Sequence, residues 1–332
     1  MDCLLEQLKK EPMLRYIPNK NEIEKLCEQY KIGELVTIDG ELGGLFNVNL
    51  KINTTIGNYV IRVHSGLSSE IHLLAEKHLL KKLIEQDIPV LTPLNTTNGS
   101  YFSTLHNRFV QITPFVQGIP FIFSNEQVYR CGNLLKKFHN ALIREEEIPT
   151  PNWSNYPSHR VLKQGIYQLV KLQRYIHEPP LITEVERLYE KVMNEWSCLN
   201  GDSLKKVVIH GDWHPWNVLF NDKNEIKYIL DFDFLQKGER IHDIAYFLWT
   251  IRNEKNKKKL GEHFLKGYGP LTTSEIELLP IAIARASLFF LCTASFVANP
   301  GRELNEQMQV QKPYIEYLLS DNGKTSIKQL IN

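Results

Sequence analysis

The chain has 332 residues, enough for a large core and for two lobes or domains, with the composition of an ordinary globular protein. Its formal net charge of +1 makes no electrostatic case for a nucleic acid or an anionic membrane, so neither is expected as a partner. Five scattered cysteines (Cys3, Cys27, Cys131, Cys198, Cys292), never spaced C-x-x-C, argue against a zinc site and predict free thiols in a reducing, cytoplasmic compartment.

The first residues, MDCLLEQLKKEPML, carry acids and lysines where a signal peptide needs an apolar core, so export is not expected. NKNEIEKLCEQYKI has apolar residues at helical spacing. ELVTI, FNVNLKI and NYVIRVH follow as short alternating or β-rich segments. The turn chemistry of DGELGG and NTTIGN joins them into an antiparallel three-stranded meander. SEIHLLAEKHLLKKLIEQ is an amphipathic helix, DIPVLTPL a Pro-bounded loop, and YFSTL and RFVQITPF two more strands. At TPFVQGIP the pattern changes, because Pro114, Gly118 and Pro120 break regular structure and helices dominate beyond them. Residues 1–113 are therefore expected to form a first lobe of sheet and helices. Residues 114–332 form a mainly helical second lobe, with a hinge at about 111–118.

In the second lobe SNEQVYRCGNLLKKFHNAL reads as a helix, WSNYPSHR as a loop, and VLKQGIYQLVKLQRYI with ITEVERLYEKVMNEW as a helical pair. The pattern then switches to the strands KVVIH, NVLF and IKYILDF, the last two joined through the turn NDKNE, before DIAYFLWTIR restarts helix. IAIARASLFFLCTASFVA is long enough to cross a membrane, but Arg285 and its Ser and Thr residues favour a buried helix. NGKTS contains Gly323-Lys324-Thr325, yet Leu318 stands where a Walker A motif needs Gly, and no strand leads in. It reads as an exposed tail.

The chemistry concentrates in the small β island, in HGDWHPWN (210–217) and in DFD (231–233). One reading is a metal hydrolase, with His210, Asp212 and His214 as H-x-D-x-H ligands and His242-Asp243 as an HD pair, although further histidines on helices are missing. The other is a phosphoryl-transfer loop: H-x-D, an Asn five residues after the Asp, a short hairpin, then an Asp that holds magnesium. Asp212, Asn217 and Asp231 supply that set in order. Asp212 can orient an attacking hydroxyl and accept its proton. Asn217 and Asp231 offer the oxygen donors magnesium prefers.

VIHGDWHPWNVLF, YILDFDF and DIAYFLW together resemble the aminoglycoside phosphotransferase and choline kinase superfamily, in the style of its homoserine-kinase-like members. The resemblance covers roughly residues 20–300 and implies an α+β, bilobal, protein-kinase-like fold with an antiparallel sheet plus helices in the N-lobe. It implies transfer of the γ-phosphate of ATP, with Mg2+, to a hydroxyl of a small molecule. It also places a phosphate-covering loop at Gly43 and Gly44, since GG-x-x-N hairpins occur in the family, and a phosphate-holding cation at Arg62, where many members have Lys. Glu76 is the helix partner of that cation, with Glu70 as rival. Adenine is read by backbone groups of the hinge, from Gln111 through Thr113 to Phe115. His139 and His210 are expected to be structural, and Asp243 a helix N-cap or loop brace. His214 braces the loop or reaches substrate. Trp213 and Trp216 pack, with Trp213 alternatively walling the substrate pocket. Asp233 is a second metal ligand or a substrate contact.

The expected acceptor is an amino alcohol, a hydroxy amino acid, a sugar or an antibiotic such as an aminoglycoside. Acidic and basic residues roughly balance over 141–206, with one acidic run, REEEIP; that balance mildly disfavours a polycation. No A-P-E segment points to a protein substrate, and nothing signals oligomeric state. The rival from another class is a non-catalytic, spore-coat-type protein on the same scaffold; the intact Asp212, Asn217 and Asp231 argue against it, while Arg62 in place of Lys keeps it open.

Overall fold

The computed structural model describes residues 15–44, 46–172, 179–296 and 299–331. The N-terminal stretch read for export, and Cys3 within it, lie outside these, as does the end of VLKQGIYQLVKLQRYI. The chain divides into two compact units, Met1–Gly118 with Pro149–Trp153, and Ile119–Ile148 with Ser154–Asn332.

In the first unit α1 (Lys20–Tyr30) opens with a capping box: Asn19 accepts from the Glu22 N–H, and Glu22 accepts from the Asn19 N–H. Strands β1 (Leu35–Glu41), β2 (Val48–Thr54) and β3 (Gly57–Val63) form the expected antiparallel meander. β4 (Ser103–Leu105) and β5 (Arg108–Pro114) extend it to one five-stranded sheet of order β1-β2-β3-β5-β4. β2 alternates strictly between buried and half-buried residues, the period of a strand with one face on a core. That core joins Ile23, Leu26 and Tyr30 of α1 to Leu50, Ile52, Ile61, Val110 and Ile112 of the sheet. The amphipathic helix α2 (Glu70–Glu85), capped by Ser69, buries Leu73, Glu76, Leu80 and Leu83.

In the second unit α3 (Asn125–Ala141) packs against α7 (Lys257–Tyr268). A helical pair, α4 (His159–Lys171) and α5 (Pro179–Cys198), precedes the β island. That island is two separate ribbons. β6 (Lys206–Ile209) pairs with β9 (Gln236–Glu239), and β7 (Val218–Phe220) pairs with β8 (Ile226–Ile229) as the expected hairpin. α6 (Ile241–Thr250) follows at once. α8 (Thr273–Thr293) is long and apolar enough to cross a membrane by composition, but its most apolar window is 78% buried inside the protein, as a core helix would be. It packs on α6, α5 and α9 (Pro300–Leu319). NGKTS is not an exposed tail. It lies within α10 (Asp321–Lys328), capped by Ser320, with Gly323 and Ile327 buried on a face that meets α8 and α9.

Candidate active site

In the second unit the site grows from the end of β6. The chain turns sharply at Gly211, where φ is +81° and a Cβ would stand 2.4 Å from the Phe234 carbonyl oxygen, so only glycine fits. Asp243, in the first turn of α6, clamps this turn. Its carboxylate accepts from the backbone N–H of His210 (2.8 Å) and of Gly211 (2.9 Å) and from Nε2 of His139 (3.0 Å). Asp243 is thus a loop brace and not an N-cap, a position held by Arg240. Burial pushes its carboxyl pKa up, but the hydrogen bond and charge of His139, with the nearby His242 and His210, hold it below the usual range. His139 passes the brace on to the Tyr268 hydroxyl at 2.9 Å.

The motif histidines belong to the frame. His210 is fully buried, its Nδ1 taking the Asp212 N–H (3.3 Å) and its Nε2 meeting the Leu230 carbonyl (3.2 Å). Burial depresses its pKa. His214 accepts the Trp216 N–H at Nδ1 (3.2 Å) and places Nε2 3.3 Å from Oδ2 of Asp212. With these ring atoms engaged, H-x-D-x-H is not a ligand cluster. Among the described residues no group of three or more His, Cys, Asp or Glu could hold a metal ion. Trp213 is fully buried against Phe138 and His210, so it packs and cannot wall an open pocket, whereas Trp216, expected to pack, is 63% exposed.

Asp212 and Asn217 are held together. The Asn217 Nδ2 donates to the Asp212 carbonyl (2.9 Å) and to its Oδ2 (3.0 Å), which turns the Asn217 amide oxygen away from Asp212. The Asn217 carbonyl accepts the Leu230 N–H (2.8 Å), continuing the β7–β8 hairpin one step past Val218↔Ile229. Asn217 and Asp231 therefore leave the same end of one hairpin. They offer one neutral and one anionic oxygen donor, a set that suits a magnesium ion sharing its shell with phosphate and water. Asp231 has φ +62°, the left-handed region, and Asp233 is half-buried two residues on. Burial pushes the Asp212 carboxyl up, but the hydrogen bond and charge of His214, the charge of His210 and the Tyr246 hydroxyl bring it below the usual range.

Two partners of Asp212 had escaped the sequence reading. Asn155, in the loop before α4, donates from Nδ2 to Oδ1 of Asp212 at 2.9 Å. Tyr246, on α6, lies close enough for its hydroxyl to act on the same carboxylate. They lie in WSNYPSHR and DIAYFLW. Nothing in sequence spacing links residues 57 positions apart.

In the first unit Gly43 and Gly44 lie exposed between β1 and β2 with φ of +95° and +120°. The Gly43 carbonyl accepts from Asn49 (2.9 Å), and the buried Asn47 of GG-x-x-N takes the Ser65 N–H (2.9 Å). Arg62 pairs across the sheet with Gln111. Glu76 is buried on α2 and accepts from the Tyr101 hydroxyl (3.1 Å), while Glu70 is exposed in the first turn. The hinge needs a correction. His64 N–H to the Phe109 carbonyl (2.9 Å) and Phe115 N–H to the Asn58 carbonyl (2.8 Å) fix the phase of the β3–β5 ladder. Antiparallel pairs alternate, so the backbone groups of Gln111 and Thr113, like the Phe115 N–H, turn towards β3. The outward positions belong to Ile112, whose carbonyl already takes the Leu94 N–H (2.8 Å), and to Pro114. Pro114 sits where the ladder needs no N–H.

Residues 42–279 match the model of a family described as the phosphotransferase enzyme family. A homoserine kinase of Chelativorans sp. (strain BNC1) is 25% identical over 284 residues, covering 83% of this chain and 84% of that protein. A homoserine kinase of Zymomonas mobilis subsp. mobilis is 26% identical over 278 residues, covering 80% and 82%. In fold the chain is similar to a microcompartment-associated aminopropanol kinase (TM-score 0.73, 14% identity, 92% of this chain and 99% of that one). It is likewise similar to the amicoumacin kinase hAmiN in complex with AMP-PNP, Ca2+ and Ami (TM-score 0.67, 15% identity, 90% and 94%).

Proposed function

Since the chain belongs to the phosphotransferase enzyme family, whose members are small-molecule kinases, we propose that it moves the γ-phosphate of ATP to the hydroxyl of a small amino alcohol or hydroxy amino acid. The observation that carries this reading is the Asp212 carboxylate held beside Asn217, with Asp231 leaving the same hairpin end. The acceptor class rests on the homoserine kinases that align with four-fifths of the chain or more.

Asp212 orients the acceptor hydroxyl and takes its proton. With its pKa held low it is a weak base in the ground state, so proton transfer comes late, as a loose transition state allows. The amide oxygen of Asn217 and the carboxylate of Asp231 would hold Mg2+. When bound, that ion offsets the charge on the transferring phosphate. Arg62, supported by Glu76, would hold phosphate as a bidentate donor, and the Gly43-Gly44 segment would lay backbone N–H groups on it. The Pro114 C=O, which the β3–β5 ladder leaves facing outward, would be the hinge group to read adenine. Catalysis in this scheme is positioning and charge compensation.

The test is ATP consumption over a panel of homoserine, aminopropanol, ethanolamine, choline and spectinomycin, with Asp212→Ala alongside. The expected result is turnover of at least one amino alcohol or hydroxy amino acid, lowered about 10²–10⁴-fold in Asp212→Ala with nucleotide affinity kept. Undiminished transfer in that variant would sink the assignment.

A further inference from the structure

The loop that delivers Asn155 is held at nearly every residue. The Ser154 hydroxyl takes the Tyr156 N–H (3.0 Å) and a hydrogen bond from the buried Gln236 of β9. The Tyr156 hydroxyl donates to Glu239, also on β9. The Pro157 carbonyl accepts twice from Arg285 of α8, at 3.1 Å from Nε and 2.8 Å from Nη2, and Ser158 caps α4. Arg285 is almost fully buried, stacked 3.8 Å from the Trp196 ring, with Glu239 at 3.9 Å. A buried guanidinium is costly unless paired and hydrogen-bonded, and here its main hydrogen bonds go to one carbonyl of this loop.

What the loop presents is Asn155, only 7% exposed. Its Nδ2 reaches Oδ1 of Asp212, while its own Oδ1 is buried with no hydrogen-bond partner among the described residues. A side chain kept for stability would have both ends satisfied, since a buried orphan acceptor costs about 1–3 kcal/mol. The hydrogen bond this buried amide makes among the described residues is the one its nitrogen gives to Asp212. Oδ2 of Asp212 is held by Asn217 and His214, both of the catalytic loop, and Asn155 holds the other oxygen from outside that loop.

We propose that Asn155 is a positioning residue for phosphoryl transfer, fixing the rotamer of the Asp212 carboxylate so that it meets the acceptor hydroxyl in line with the phosphate. The proposal rests on the kinase reading above. A carboxylate free to swing loses attack geometry and leaves nucleotide binding alone, so the loss falls on kcat and not on the KM for ATP.

The experiment is steady-state kinetics on Asn155→Ala, Asn155→Ser and Asn155→Asp, with ATP and acceptor varied separately and the acceptor being the panel member that wild type turns over fastest. A thermal melt accompanies each variant. We expect kcat to fall about 10–100-fold in Asn155→Ala, to recover partly in Asn155→Ser, which keeps a donor, and to be lowest in Asn155→Asp, which keeps the shape but removes the donor, all with the KM for ATP within about twofold of wild type. A kcat within twofold of wild type in Asn155→Ala, or rates that follow the melting temperatures and not donor capacity, would overturn the proposal. If Asn155→Ala does not fold, the order of Asn155→Ser and Asn155→Asp against wild type decides in the same way. Wild-type inactivity on the whole panel would overturn the kinase reading, and this proposal with it.

Discussion

Asp231 stands in the left-handed region at φ +62°, where a non-glycine residue persists only if its surroundings over-determine it. Asn tolerates that conformation as well as Asp does, so Asp231→Asn removes the charge without changing the backbone. We expect its melting temperature to stay near that of wild type. Its ATP affinity, measured by calorimetry with and without Mg2+, should lose at least about tenfold of the Mg2+-dependent part, the order of one charge-assisted contact. Equal affinity in the two proteins would remove Asp231 from metal binding. At this scale the sequence was legible where chemistry forces local spacing: Asp212, Asn217 and Asp231 sit on one turn and one hairpin, and geometry over so few residues is nearly fixed. It was illegible where partners meet across the fold. Asn155 reaches Asp212 from a loop whose path depends on Arg285, more than 120 residues further on. The hinge shows another limit. RFVQITPF is plainly a strand, but which of its residues face β3 depends on register, and a one-residue change of phase exchanges Gln111 and Thr113 for Ile112 and Pro114.

At the scale of elements, α3 and α7 approach each other through glycines. A Cβ at Gly132 of α3 would lie 2.1 Å from the Phe264 carbonyl oxygen, and one at Gly267 of α7 would lie 2.1 Å from that of Tyr129. The backbones can approach so closely only without side chains, and the obstructing atoms are main chain that cannot rotate aside. Gly267→Ala should therefore force the helices apart at a cost of roughly 1–3 kcal/mol or more, read as a lower melting temperature. A melt unchanged within a degree would show that the pair has room to slide. The same scale shows why some elements were missed. QKGE has no alternation or apolar content, yet it forms β9 with three of its four residues buried, because β6 pairs with it and the loop before α4 covers it. Its Gln236 and Glu239 are buried in order to hold that loop. NGKTS looked like a tail because its polar residues dominate, but Ser320 starts a helix there, and Gly323 and Ile327 lie one turn apart on the buried face. In contrast α2, α3 and the hairpin β7–β8 were readable, since periodicity, caps and turn residues agree locally.

For the whole molecule, composition and Pro-Gly punctuation change together near residue 114, while the compact units run from Met1 to Gly118 and from Ile119 onward, apart from one exchanged segment. Residues 149–153 join the first unit although they lie far along the second stretch, which no local pattern announces. Stability of the second unit carries a predictable pH dependence. His210 and His242 are fully buried, and burial lowers both pKa values. In the unfolded chain they return to about 6.5. Above that pH both states are neutral and nothing is lost. As pH falls below about 6.5 the unfolded chain takes up protons that the folded one refuses, so stability declines, at a limit of roughly 1.4 kcal/mol per pH unit for each histidine. Asp243 and Asp212 act lower down: their folded pKa values lie below the ordinary 3.8, so their stabilising effect is present above that value and fades as pH falls through the lowered values. Buried Trp196, Trp213 and Trp249 all belong to this unit, so tryptophan fluorescence reports its unfolding. The melting temperature should be level from about pH 8 to 6.5, fall below that, and fall again below about 4. His242→Gln can still donate to the Gly211 carbonyl that His242 faces at 3.4 Å, but it has no proton to gain. Its melt should lose part of the first decline and keep the second. A first decline of unchanged slope in that variant would mean that the acid sensitivity begins elsewhere than at these buried imidazoles.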